Sequence, residues 1–427
     1  MFWFLAALPN INPKTPFELF LCTRTLQPPL AIILDGEKEE TTPTLPDDII
    51  GHILLMLPVK SIMRFRCVCK NWRYKLFRDP SFVNMHLKNS IQSGDFDCVS
   101  VKNHQDFNML NRKSSQRVKY PNMWIDTHGS CNGLILMRGR LRNRWDMQDI
   151  NLCLWNPTTK EFKDIEFDSE VKYGPAYSQD LTVTLTKVTY GLGYNCDTDD
   201  YKIVKVSAVY GFDSSRTYNR RPCYGSEVQV YALGSDSWKT LPNIVPYDIV
   251  YSCTRAFVNG VLYWIATPCP CLIIQKCNLI LSFDIKSENF REVPLTPQVD
   301  ELFGFNYPRR RMTLSVLGGC LCVVFLGCDD SEVWVMKDHK VRESWTNLFV
   351  AQISVEDPIA CCMTLQCKLK GGEVLFTVKF GDAATYFVAY DPVHHKSELS
   401  KICRISGNNC SISENKCSIE TFVESLV

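Results

Sequence analysis

The sequence has no excess of either charge. Forty-seven Lys and Arg stand against 46 Asp and Glu in 427 residues, a formal net charge of +1. A chain this balanced carries no global field to steer it onto nucleic acid or anionic lipid. Nor does it have an apolar run near the ~20 residues that a bilayer-crossing helix needs. Residues 1–8 (MFWFLAAL) are apolar, but the run is short, has no basic leader and meets Pro9, Pro13 and Pro16. Residues 1–40 therefore read as a poorly ordered or mispredicted extension, with a weak signal peptide as the other reading. Cysteine is abundant at 21, yet no two stand in a C-x-x-C; the close pairs are Cys67/Cys69, Cys269/Cys271, Cys320/Cys322 and Cys361/Cys362. The paired spacing of structural zinc ligands is missing, so no metal is expected. Odd in number and irregularly spaced, the thiols read as small buried hydrophobes in a reducing compartment, cytoplasmic or nuclear.

Catalytic signatures are missing as well. Seven histidines are scattered at 52, 86, 104, 128, 339, 394 and 395. There is no H-E-x-x-H, G-x-S-x-G, Walker A loop, or G-x-G-x-x-G opening a helix. Gly191-Leu-Gly193 beside a strand reads as a bulge or tight turn. A Cys–His pair meeting only in space stays open, but no named nucleophile has an activating neighbour. The expectation is a non-enzyme without a cofactor.

What is present begins at Thr44. Thr44-Leu-Pro-Asp-Asp48 reads as a helix start, with Thr44 as cap, Pro46 in the first turn and two acids at the positive end of the dipole. Ile49, Ile50, Ile53, Leu54 and Leu57 follow as one broad apolar stripe, which Pro58 ends. Ser61 can cap a second helix carrying Ile62, Phe65 and Val68. A third runs through Trp72, Tyr74, Leu76 and Phe77 until Asp79-Pro80 stops it. So small a core is marginal alone and gains stability by docking on a partner. Seven basic residues and no acid lie between Val59 and Arg78. They fit either an acidic partner or a solvated face; no base-reading helix is evident, so nucleic acid is not expected.

From about residue 120 the helical period gives way to short β-branched and aromatic runs. LCLWNPTTKEF from Leu152 sets an aromatic, a polar turn and a second aromatic seven residues on. VQVYALGSDSW from Val228 and ILSFDIKSENF from Ile280 repeat it, and looser versions start at Trp334 and Tyr390. Each describes a hairpin. A glycine leading a nearly continuous apolar run precedes these hairpins at Gly133, Gly260, Gly319 and Gly372; the stretch from Gly191 to Val206 fills the remaining gap. Strands this apolar should be buried on both faces, like the inner strands of a propeller blade. The repeat is near the kelch-type period of ~50 residues. Five units are clear, and a sixth would be closed by residues 91–128 together with the C-terminal tail.

Two stretches resemble known families. LPDDIIGHILLMLPVKSIMRFRCVCKNWRYKLFRDPSF, starting at Leu45, resembles a complete F-box. The segments CNGLI at Cys131, WNPTT at Trp155, YGLGY at Tyr190, VNGVLYW at Val258, ILSFD at Ile280 and SEVWVM at Ser331 resemble the plant F-box-associated domain. Together they make the chain similar to plant F-box/kelch-repeat and S-locus F-box-like proteins, although the paired glycines of a full kelch signature are absent and the family's F-box usually lies nearer the N-terminus. The resemblance implies an α+β multidomain chain: an extension at 1–40, a three-helix F-box at 41–90, and a kelch-like all-β propeller of about six blades at 91–427. It implies a substrate-recognition subunit of an SCF-type (Skp-cullin-F-box) ubiquitin ligase, with a Skp-type adaptor and, through it, cullin and RING subunits as partners. The adaptor contacts fall on Leu45, Pro46, Ile49, Ile53, Leu57, Pro58, Val68 and Trp72. A non-degradative scaffold and a propeller enzyme are the alternatives.

Target binding is expected on the loops of a rigid repeat. The irregular stretches 138–150 (Arg138, Arg140, Arg142, Arg144), 210–226 (Arg220, Arg221) and 300–312 (Arg309, Arg310, Arg311) offer either a basic surface for an acidic protein or solvated loops.

Overall fold

The computed structural model describes residues 46–65, 79–93, 96–102, 123–142, 147–166, 183–211, 223–249, 255–269, 279–299, 311–327, 330–351, 360–369, 371–380, 384–401 and 417–426. The chain divides into two compact units, Met1–Ile50 and Gly51–Val427. In the first, the Pro46 carbonyl accepts from the amides of Ile49 (3.0 Å) and Ile50 (3.1 Å), closing the opening turn of helix α1 (Asp47–Leu55). The extension at 1–40 and the Thr44 cap lie outside the described residues.

The second unit begins with the helical module. Helix α2 (Val59–Phe65) opens on Pro58, whose carbonyl accepts from Ser61 (2.9 Å) and Ile62 (3.2 Å). Ser61 therefore sits inside the first turn and is not the cap expected of it. The helix expected through Trp72 to Phe77 lies outside the described residues, and Asp79-Pro80, read from the sequence as a stop, is a start: helix α3 (Pro80–Ser93) takes Pro80 at its first position, and Asp79 Oδ1 caps it by accepting from the Ser81 amide (2.9 Å). The sequence reading did not foresee α3. Among the described residues of the module, Leu54, Val59, Ile62 and Leu87 form the buried apolar core. His86, also buried, donates from Nε2 to the Leu57 carbonyl (2.8 Å) and ties α3 to the corner before α2.

The remaining chain is β. Strand β1 (Phe96–Lys102) leads to blade 1, made of β2 (Met123–Cys131), β3 (Leu134–Arg142), β4 (Met147–Trp155) and β5 (Phe162–Ile165). Blade 2 holds β6 (Val183–Asn195), β7 (Asp200–Gly211), β8 (Cys223–Ala232) and β9 (Ser237–Thr240). Blade 3 adds a short strand, β10 (Tyr247–Ile249), to β11 (Arg255–Val258), β12 (Val261–Pro268), β13 (Leu279–Asp284) and β14 (Asn289–Glu292). Blade 4 comprises β15 (Arg311–Leu317), β16 (Cys320–Leu326), β17 (Ser331–Met336) and β18 (Trp345–Ala351). Blade 5 comprises β19 (Ala360–Lys368), β20 (Val374–Phe380), β21 (Ala384–Asp391) and β22 (Lys396–Lys401). Strand β23 (Cys417–Val423) pairs antiparallel with β1. Within every blade, neighbouring strands pair antiparallel in chain order.

The first strands touch in sequence, β2 to β6, β11, β15 and β19, and β23 touches both β19 and β2. Five full blades and a two-stranded sixth thus close a ring, joined from the two ends of the β region. This is a β-propeller.

The aromatic repeat is a cross-strand pair. Trp155 faces Phe162, Tyr231 faces Trp238 and Phe283 faces Phe290 across the third and fourth strands. Five residues after Trp155, Tyr231, Phe283 and Tyr390, the turn is closed by a left-handed residue: Lys160, Asp236, Glu288 and His395. The glycine-led apolar strands are the second strand of each blade, flanked on both sides, and not the innermost one. In β12 every residue from Val261 to Thr267 is buried.

Gly191-Leu-Gly193 is neither bulge nor turn. Both glycines sit in register in β6, opposite Val204 and Lys202. A Cβ on Gly191 would lie 2.8 Å from Trp264 Cζ2, and one on Gly193 would lie 2.8 Å from Ile285 Cδ1. Blade 3 presses so closely on blade 2 that only a bare backbone fits. The core is accordingly a series of apolar layers between consecutive blades.

Candidate functional site

Two surfaces bear on function, one helical and one at the propeller's rims. In the first unit Pro46 is exposed and Ile49 is 48% exposed. In the second, Pro58 is exposed, Ile53 and Leu57 are half-buried, and Met56 is 76% exposed. Leu45, Val68 and Trp72 lie outside the described residues. Met56 was not singled out from the sequence although it stands three residues after Ile53 and seven after Ile49; the structure places it on the turn after α1. On α3, Met85 and Ile91 are also exposed, at 47% and 46%.

Strand direction gives the propeller two different rims. The turns joining first to second and third to fourth strands all leave from one rim. Every non-glycine residue with positive φ among the described residues lies in one of these turns, from Asn132 to His395. The C-terminal tail ends here too. Ser425 is fully buried, its carbonyl accepts from Asn156 Nδ2 (3.2 Å), and Asn156 Oδ1 accepts from the amides of Thr158 (2.8 Å) and Thr159 (3.2 Å). Glu424 pairs with Lys60 of α2 at 2.5 Å, and α3 packs on β23. This rim therefore bears α2 and α3, and we call it the near rim.

The near rim is bolted by ion pairs from blade to blade. Lys163 reaches Asp236 (3.0 Å), Lys202 and Lys239 grip Glu288 (2.8 and 3.0 Å), and Lys286 meets Asp197 (2.5 Å). Burial works against the Glu288 charge, but the two lysines overcome it and hold the carboxyl below the ordinary Glu range. The Tyr231 hydroxyl donates to Asp236 and, with Lys163, keeps that carboxyl low. The Trp238 indole donates to the Glu166 carbonyl (2.6 Å), and that of Trp345 to the Pro294 carbonyl (3.1 Å).

The opposite, far rim carries the second-to-third strand loops and the blade-to-blade connections. Here the irregular stretch expected at 138–150 is corrected: all but residues 143–146 lie in β3 and β4. Arg138 is no loop residue but a buried one, 2% exposed. It donates to the Val188 carbonyl (3.0 Å) and lies over the Tyr190 ring at 5.5 Å. Its alternation with apolar neighbours marks a strand once blade 2 is seen to cover it. Arg140 and Arg142 are in the last residues of β3, and Arg311 is the first of β15. Arg144, Arg220, Arg221, Arg309 and Arg310 lie outside the described residues.

Burial raises the Cys131, Cys153 and Cys322 thiols, the latter two to about 12, which disfavours the reactive thiolate. Among the described residues no group of three or more His, Cys, Asp or Glu could hold a metal ion, and no helix is long and apolar enough to cross a membrane.

A helical sequence motif followed by a ring of antiparallel blades defines a two-part protein, helices first and then a propeller. The F-box domain matches residues 43–84, and the F-box associated beta propeller domain matches residues 82–427. The chain belongs to the plant F-box proteins that carry this propeller. It is similar to F-box protein CPR1 of Arabidopsis thaliana, 30% identical over 332 residues, 72% of this chain and 73% of the relative. F-box protein At3g07870 of the same plant is 28% identical over 394 residues, covering 82% and 85% of the two chains. F-box/kelch-repeat protein At3g23880, also from Arabidopsis thaliana, is 27% identical over 336 residues, covering 71% and 78%.

Proposed function

We propose that the chain is the substrate-recognition subunit of an SCF-type ubiquitin ligase, with residues 41–90 holding a Skp-type adaptor and residues 91–427 holding the target. The observation that carries this reading is the apolar surface left in water on the described helices: Ile49 is 48% and Met56 76% exposed, and Pro46 and Pro58 are exposed as well. Covering one such side chain contributes ~1.5–3 kcal/mol, so a partner surface gains what the module's own fold leaves unused. Leu45, Pro46, Ile49, Ile53, Leu57, Pro58, Val68 and Trp72 are the proposed contacts.

The chain itself performs no bond-making. Cullin and RING subunits, reached through the adaptor, would bring the loaded conjugating enzyme, and the receptor would raise the effective concentration of target lysines beside it. The work would take place in the cytoplasm or nucleus. Recovery of adaptor and cullin with the tagged full chain, and a client that accumulates when the proteasome is inhibited, are the expected results. Adaptor recovery with no ubiquitinated client would replace the receptor by a scaffold. No adaptor recovery would remove both.

A further inference from the structure

We infer that the segment following β23, residues 424–426, couples helices α2 and α3 to closure of the ring. Where the coupling meets an adaptor it rests on the receptor reading above: adaptor binding at the corner before α2 and closure of the propeller then strengthen each other. The whole propeller lies between these helices and this segment in the sequence, yet the fold brings them together.

The segment is held from two sides. Towards blade 1, Ser425 is fully buried. Its carbonyl accepts from Asn156 Nδ2 at 3.2 Å, and its hydroxyl lies 3.5 Å from the same nitrogen. The turn between β2 and β3 leaves room for it only because residue 133 is glycine, since a Cβ there would lie 2.6 Å from Ser425 Cβ. Leu426 is buried as well. Towards the helices, Glu424 meets Lys60 of α2 at 2.5 Å, and α3 packs on β23. The Lys60 side chain is 67% exposed, so that ion pair adds little by itself. The packing of α3 and the buried seat in blade 1 carry the coupling.

The contacts continue to the exposed corner. His86, buried on α3, donates from Nε2 to the Leu57 carbonyl (2.8 Å), and Leu57 stands between the exposed Met56 and Pro58. Corner, α3, β23, segment 424–426 and blade 1 therefore form one unbroken line of contacts. At the end of that line, β23 pairs only with β1. A two-stranded sheet is marginal alone and depends on what packs against it. A partner that orders the corner steadies α3 and with it β23; by reciprocity, a seated β23 favours the partner.

Hydrogen exchange read by mass spectrometry tests this on the full chain, on a chain lacking residues 424–427 and on Asn156→Ala, each with and without a Skp-type adaptor. Without adaptor, α3 should exchange about fivefold faster or more in both variants, while blades 3 and 4 keep their protection. Adaptor should slow β23 in the wild type by a similar factor, and less in the shortened chain. Should the shortened chain not fold, Asn156→Ala and the wild-type comparison decide. Unchanged α3 exchange in the folded variants, or unchanged β23 exchange in a wild type with adaptor bound, would overturn the inference. A wild type that binds no adaptor counts against the receptor reading, and α3 exchange in the free chains then decides the coupling by itself.

Discussion

Gly133→Ala isolates the contribution of the C-terminal tail to ring closure. Gly133 is the second residue of the turn between β2 and β3, at φ +88°, and Gly260 holds the equivalent position between β11 and β12 at φ +76°. Alanine in a left-handed conformation costs ~1–2 kcal/mol at either site. The sites differ in what a new Cβ meets. At Gly260 there is nothing within 4 Å, whereas at Gly133 the Cβ would lie 2.6 Å from Ser425 Cβ and 2.8 Å from the Val423 carbonyl oxygen. The tail must leave, giving up the Asn156–Ser425 hydrogen bond and the burial of Leu426, which is 7% exposed. One hydrogen bond at ~1 kcal/mol and one leucine at ~1.5–3 kcal/mol put the extra loss at ~2–4 kcal/mol. Urea unfolding of Gly133→Ala and Gly260→Ala reads the difference, and hydrogen exchange locates it in β23. Equal destabilisation of the two variants, with β23 still protected in Gly133→Ala, would refute the idea that the tail locks the ring.

Gly191→Ala should destabilise by ~1–3 kcal/mol through overpacking against Trp264 and Leu262, with the loss seen as a lower unfolding midpoint. Because the lysine pairs depress Glu288 in the fold, its contribution is present above the unfolded value of ~4.3 and fades as pH falls through the lower folded value. The stability gap between wild type and Glu288→Gln should therefore shrink in acid, and a gap constant from pH 7 to pH 3 would contradict it. Alkylation followed by mass spectrometry should label Cys196, which is exposed, well before the buried Cys131, Cys153 and Cys322; simultaneous labelling in the native protein would mean those blades open freely.

Elements set by local chemistry were legible in the sequence. The aromatic–turn–aromatic strings became the outer hairpins because cross-strand aromatic pairing and left-handed turn residues are written within about ten positions. Ring closure by the two ends was anticipated from the count of units. Contacts between blades were not legible. Gly191 and Gly193 looked like a turn because the side chains that exclude a Cβ, Trp264 and Ile285, come from blade 3, far along the chain. Arg138 looked like a solvated charge because its cover, Val188 and Tyr190, belongs to the next blade. Helix α3 escaped because Asp79-Pro80 ends one pattern and begins another with the same two residues. Ile49 was marked by its spacing, whereas Met56, at the same three-and-four spacing, was passed over in the sequence and is exposed on a turn.

The most direct measurement is calorimetric titration of the full chain with a Skp-type adaptor, comparing wild type with Met56→Asp and Ile49→Asp. Met56 is mostly in water and Ile49 about half so, and neither lies in the propeller, so thermal unfolding of the propeller should stay where it is. The account predicts one adaptor per chain for wild type and at least tenfold weaker binding in both variants, since a carboxylate would be forced into an apolar interface. Undiminished adaptor affinity in both variants, or no binding by the wild type, would contradict it.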